Sequence, residues 1–139
     1  MQVRTGMSSM VVTVSPGVTL HDAARSMADR GVGAAVVIDP EQPGPGIITE
    51  RDVLQSVGAG QDPNSERVRD HLSPEITFAA PDWSLERAAE AMVAGGFRHL
   101  VVVDGGQLTG ILSMRDIVRV WVSDYATSEL PNDLQQAAR

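Results

Sequence analysis

The chain has 139 residues, 42% of them hydrophobic, which is enough to build a real core in one compact domain. It has no cysteine and no lysine, which excludes a disulfide framework, a thiolate metal site, Schiff-base chemistry and a lysine-dependent phosphate loop. A formal charge of -7 argues against duplex nucleic acid as a partner, and the absence of a signal-like start or a membrane-length apolar run makes the cytoplasm the expected location.

Val11-Val12-Thr13-Val14 is a short β-branched run, closed by a turn at Ser15-Pro16-Gly17. Leu20, Ala23, Ala24 and Met27 then fall on one face of a helix, with Thr19 as its N-cap and Gly31 at its end. Ala34 to Ile38 is a continuous apolar run suited to a strand covered on both faces. The Pro-Glu-Gln-Pro-Gly-Pro-Gly stretch at 40–46 must be a loop. Gly46-Ile47-Ile48 predicts a short strand that runs into a helix from about Glu50 to Val57. Gly58 to Glu66, rich in Gly, Asp, Pro, Asn and Ser, reads as a linker.

The same order then returns. Ile76-Thr77-Phe78 predicts a strand, Leu85–Ala94 a helix, Leu100–Val103 and Leu108–Leu112 two strands, and a last helix runs through Trp121. Gly105-Gly106 between the two strands suits a tight hairpin. Beyond Ser123 the chain is polar and loses periodicity. Tyr125, Trp121 and Leu130-Pro131 are candidate contacts for a partner there.

The second half is a copy of the first. Shifted by 65 positions, residues 19–39 and 84–104 share Leu20/Leu85, Ala23/Ala88, Ala24/Ala89, Met27/Met92, Gly31/Gly96, Val36/Val101, Val37/Val102 and Asp39/Asp104. These are eight identities, where composition alone gives roughly one or two. Gly46-Ile47-Ile48-Thr49-Glu50-Arg51-Asp52 lines up with Gly110-Ile111-Leu112-Ser113-Met114-Arg115-Asp116, and Val3-Arg4-Thr5-Gly6-Met7-Ser8 with Val68-Arg69-Asp70-His71-Leu72-Ser73. A unit of this size cannot bury its apolar face alone, so its copies are expected to stack.

With these motifs in this order twice, the chain resembles a stand-alone tandem pair of CBS domains, a Bateman module. The resemblance implies a mixed α/β (α+β) fold: two pseudo-symmetric β-α-β-β-α repeats packed through their sheets into one module. Residues 1–62 are expected to form the first repeat, 63–125 the second, and 126–139 a polar tail. It further implies clefts between the copies that take an adenosine-containing ligand such as AMP, ADP, ATP or S-adenosylmethionine. No required cofactor and no catalysis are implied, so the module would act as a sensor on an effector protein that the sequence does not name.

The local motif is a hydroxyl residue followed three positions later by aspartate, at Thr49/Asp52 and Ser113/Asp116. Such a pair is also a capping box, which starts a helix whatever its function. A carboxylate there can nevertheless accept bonds from both ribose hydroxyls, and a helix N-terminus favours phosphate. By resemblance, adenine lies near Val12 and Val14 or near Ile76 and Phe78. Phe97, Arg98 and His99 complement Thr49/Asp52, while Val32, Gly33 and Ala34 complement Ser113/Asp116. Arg98-His99 is a basic pair suited to phosphate, whereas Gly33-Ala34 offers backbone and room, so the Asp116 cleft is expected to prefer adenosine or a less charged ligand. His21, His71 and His99 share no metal-ligand spacing. Val53, Leu54, Ile117 and Val118 are expected to form an apolar helical face that makes a homodimer. Two other classes remain open: a ligand-free module for dimerisation or docking, and an enzyme, for which no nucleophile setting is visible.

Overall fold

In a computed structural model the described residues are 1–74 and 76–126. Of the tail expected at 126–139, residues 127–139, with Leu130-Pro131, lie outside them, as does the side chain of Tyr125. The elements run in chain order: α1 (Val3–Gly6), β1 (Thr13–Val14), α2 (Leu20–Arg30), β2 (Ala34–Val37), β3 (Gly46–Thr49), α3 (Glu50–Gly58), a 3-10 turn (Val68–Asp70), β4 (Phe78–Ala79), α4 (Leu85–Gly95), β5 (His99–Asp104), β6 (Gln107–Ser113) and α5 (Met114–Ala126).

Two three-stranded sheets result, ordered β1-β2-β3 and β4-β5-β6. In each, the first strand is parallel to the middle one, because a helix intervenes, and the last is antiparallel. The mixed α/β class and the strand-helix-strand-strand-helix order are those expected. The helices begin where the caps predict: Thr19 Oγ1 accepts from the Asp22 amide at 3.1 Å, and Ser84 Oγ from the Arg87 amide at 3.0 Å. The β5–β6 turn pairs Asp104 with Gln107, and both Gly105 (φ 56) and Gly106 (φ 81) take the positive angles that a two-residue hairpin demands. The linker is itself an ordered turn. Asp62 receives the Asn64 amide at 2.9 Å, which holds its carboxyl below the ordinary range.

The compact units differ from the sequence repeats. One comprises Met1–Ser9 with Thr77 onward, and the other Met10–Ile76. Compactness divides the chain after Ser9 and after Ile76, and Ile76 falls outside β4 instead of opening it. The reason is visible in the backbone bonds. Val68 N–H donates to the Val18 carbonyl, Arg69 to Pro16, Leu20 to Glu66, and Ser73 to Ile47. The other unit has the same four bonds from the N-terminal segment: Val3 to Trp83, Arg4 to Pro81, Leu85 to Met1, and Ser8 to Ile111. Each lead-in thus straps the repeat that it does not precede in the register of the duplication.

Each unit has its own core. Leu20, Ala23, Met27, Ala35, Val37, Ile48 and Val68 form one; Val3, Ala79, Leu85, Ala88, Met92, Leu100, Val102 and Leu112 form the other. Val3 and Val68, one from each lead-in, are fully buried. Truncating Val3 to alanine should remove two buried methyl groups and leave a cavity, at a cost of about 2–3 kcal/mol. Hydrogen exchange should place the loss in Leu100–Val102, with Ala35–Val37 little affected. Equal loosening of both sheets would contradict this partition.

Candidate functional site

The candidate site is built at the passage from each sheet's last strand into its following helix. β3 ends at Thr49, which caps α3 in a capping box. Thr49 N–H donates to Asp52 Oδ2 at 2.8 Å and its hydroxyl to the same oxygen at 2.9 Å, while the Asp52 amide donates back to Thr49 Oγ1 at 3.4 Å. The copy is close. Ser113 N–H donates to Asp116 Oδ2 at 2.8 Å, and the Asp116 amide returns a bond to Ser113 Oγ at 3.0 Å. Asp52 and Asp116 are 9% and 8% exposed, so both carboxylates are buried and rest on fixed donors.

The helix N-termini are less open than the motif suggests. Glu50 N–H donates to the Gly33 carbonyl at 2.9 Å, and Met114 N–H to the Arg98 carbonyl at 2.8 Å. With the Asp52 and Asp116 amides turned to the capping hydroxyls, two of the first three amides of each helix are committed to the fold. A phosphate placed at either helix would therefore have to be met largely by side chains.

The predicted site residues divide between the two units. Val12, Val14, Val32, Gly33, Ala34, Thr49 and Asp52 lie in the unit Met10–Ile76, along with Ile76. Phe78, Phe97, Arg98, His99, Ser113 and Asp116 lie in the other. Within the first unit Ala34 is the cross-strand partner of Thr49, and within the second His99 is that of Ser113. Val12, Val14 and Val32 are partly buried against one core and Phe97 against the other, so each also has a structural role. Ala34 is buried, whereas Phe78 and Arg98 are exposed.

Gly33 corrects the expectation of open room. A Cβ placed there would lie 2.8 Å from Glu50 Oε1, so the Glu50 carboxylate already covers this glycine. The second repeat has Met114 at the place of Glu50 and Arg98 at that of Gly33. Sequence reasoning also missed Arg119, whose Nη2 lies 3.0 Å from Asp116 Oδ1. Spacing of i, i+3 on a helix was the available signal.

The sequence matches the CBS domain twice, over residues 2–59 and 68–123. The chain belongs to the CBS domain family. It is 37% identical over 121 residues to an uncharacterized protein of Methanopyrus kandleri, covering 86% of this chain but only 62% of that protein's length. The CBS domain-containing protein YhcV of Bacillus subtilis is 33% identical over 132 residues, covering 94% of this chain and 93% of YhcV. Among solved structures, a CBS domain protein of Pyrobaculum aerophilum complexed with AMP matches with a TM-score of 0.74 and 28% identity, over 84% of this chain and 89% of that one.

Among the described residues of this CBS pair, no group of three or more His, Asp or Glu side chains could hold a metal ion, and no helix is long and apolar enough to cross a membrane. The capping role of Thr49 and Ser113 sets a direct expectation. Replacing either with alanine should cost about 1 kcal/mol in chemical denaturation. Unchanged midpoints in both variants would show that the boxes do not carry helix stability.

Proposed function

We propose that this CBS pair is a regulatory module that binds an adenine nucleotide, of the AMP, ATP or S-adenosylmethionine type, and has no catalysis of its own. The observation that carries this reading is the buried carboxylate repeated at Asp52 and Asp116, each fixed at a helix start where a ribose diol can bond it. The AMP complex of the Pyrobaculum relative supports the ligand class. In this reading Thr49/Asp52 and Ser113/Asp116 are the ribose contacts, Phe97, Arg98 and His99 serve the Asp52 ligand, and adenine lies near Val12 and Val14 or near Ile76 and Phe78. Val32, Gly33 and Ala34 are assigned to the Asp116 ligand.

The pockets are unequal in charge. Arg98, the proposed phosphate contact, carries a planar fork of donors, whereas Gly33 and Ala34 carry no charge. Phosphorylated ligands therefore belong with Asp52, and neutral adenosine with Asp116. The second reading, a ligand-free docking module, draws on the same capping boxes, which are complete without any ligand. A thermal-shift panel of adenosine ligands separates the two: a site-bound ligand at 100 times its dissociation constant stabilises the fold by roughly 2.7 kcal/mol.

We place the working form as a homodimer that signals to an effector protein in the cytoplasm. Val53 and Ile117, expected at the dimer face, pack on their own cores instead. Leu54 and Val57 on α3 are exposed, and so are Val118 and Trp121 at the repeat-related places on α5. A duplicated apolar pair of this kind suits self-association. The double variant Leu54→Arg/Val118→Arg should sediment as a folded monomer; a native protein that is monomeric at every concentration would refute the dimer.

Calorimetry tests the pocket assignment. Arg98→Ala should weaken AMP binding about tenfold or more, since a hydrogen bond to a charged group contributes on the order of 1.5–3 kcal/mol, while leaving adenosine nearly unchanged. Asp52→Ala should remove AMP binding altogether. AMP binding that survives Asp52→Ala but is lost in Asp116→Ala would reverse the two pockets.

A further inference from the structure

The two carboxylates are engaged differently. At Asp52, the amide and the hydroxyl of Thr49 both bond Oδ2. At Asp116, the Ser113 amide takes Oδ2 and the Arg119 guanidinium takes Oδ1 at 3.0 Å. The same Arg119 nitrogen also reaches the Gly6 carbonyl at 3.4 Å. The first repeat has Gln55, not an arginine, at the corresponding place. Gly6 lies at the end of α1, where a Cβ would come 3.2 Å from Val120 Cγ2, so the lead-in passes close against α5.

We propose that Arg119 is a latch on the Asp116 site: it holds the carboxylate oxygen that a ribose diol would take, and it ties that site to the N-terminal lead-in. The inference rests on the ligand reading above and concerns the regulation of one of its sites. A diol gives its two O–H bonds to a carboxylate because the negative charge strengthens them. A guanidinium on Oδ1 competes for the same lone pairs and offsets that charge. The Arg119 side chain is 60% exposed, so the pair is screened and easily exchanged. A ligand that displaces the guanidinium also draws it from Gly6, because one nitrogen serves both oxygens. Occupancy of Asp116 is thereby linked to the hold on Met1–Ser9, the strap that closes this unit with its Val3–Trp83 and Ser8–Ile111 bonds. The Asp52 site has no such link, since its carboxylate is served by Thr49 alone among the bonds described and Gln55 carries no charge.

Arg119→Gln tests the latch, because it places the first repeat's residue type in the second. Adenosine is the probe, with binding at Asp52 removed by Asp52→Ala. In that background the Asp116 site should bind adenosine at least tenfold more tightly once Arg119→Gln is added, and Asp116→Ala should abolish the gain. Hydrogen exchange without ligand should rise severalfold at Gly6 to Ser8 in Arg119→Gln and stay unchanged across Ala34–Val37. An equal adenosine affinity with and without Arg119 overturns the latch, as does unchanged exchange at Gly6 to Ser8. If no variant binds adenosine and the intact chain binds no AMP, the ligand reading fails. The exchange measurement then still decides whether Arg119 anchors the lead-in.

Discussion

The structure depends on one arrangement made twice, a carboxylate folded back from the first turn of a helix onto the end of the strand before it. Burying a carboxylate is costly unless fixed donors replace its water. Here the strand's last amide does so, together with the hydroxyl of Thr49 in one copy and the Arg119 guanidinium in the other. The bond is short in sequence, so it forms without a large loop-closure cost. It fixes where the helix departs from the sheet. The next bond, from Glu50 to Gly33 or from Met114 to Arg98, then locks that departure to the middle strand. Strand register, helix direction and the position of the candidate site therefore share one cause.

Closing each core is a separate problem, and local chemistry does not solve it. A three-stranded sheet with two helices leaves its edge short of apolar cover, and a lead-in segment supplies one buried valine to each core. Val3 and Val68 occupy equivalent places, yet each serves a sheet reached through a long stretch of chain or across the linker. The close approach of these straps also explains two glycines. Leu72 lies 3.3 Å from a Cβ placed at Gly46, and Met7 Sδ 2.9 Å from one at Gly110, so side chains there would push the straps outward.

What could be read from the sequence follows this division between local and distant effects. The long helices were legible because Leu20, Ala23 and Met27, or Leu85, Ala88 and Met92, repeat at helical spacing, and all are buried. The hairpin was legible because Gly105-Gly106 permits few other turns. The four-residue α1 was not, since it is too short to show a period. Nor was the start of β4: Ile76-Thr77-Phe78 reads as one β-branched and aromatic run, but pairing with β5 begins only at Phe78. In the site, Thr49/Asp52 and Ser113/Asp116 were visible as spaced pairs. The Glu50 carboxylate over Gly33 was not, because a glycine announces space and says nothing of what fills it. Arg119 was hidden for a similar reason: an arginine on a helix has many equally good partners until the fold selects one.

Duplication gives both copies the same frame, and their differences gather where the frame does not constrain the side chain. Glu50 meets Gly33, and Met114 meets Arg98, through backbone bonds that any residue could make, and Gln55 and Arg119 sit at equivalent helix positions. The first repeat has Gly33, Glu50 and Gln55 there, one negative charge in all; the second has Arg98, Met114 and Arg119, two positive charges. The core positions, by contrast, keep Leu20/Leu85, Ala23/Ala88 and Met27/Met92 unchanged. Packing tolerates little variation at close density, whereas a half-exposed charge costs the fold almost nothing. The pair can therefore hold its architecture fixed while the charges carried by its two repeats move in opposite directions.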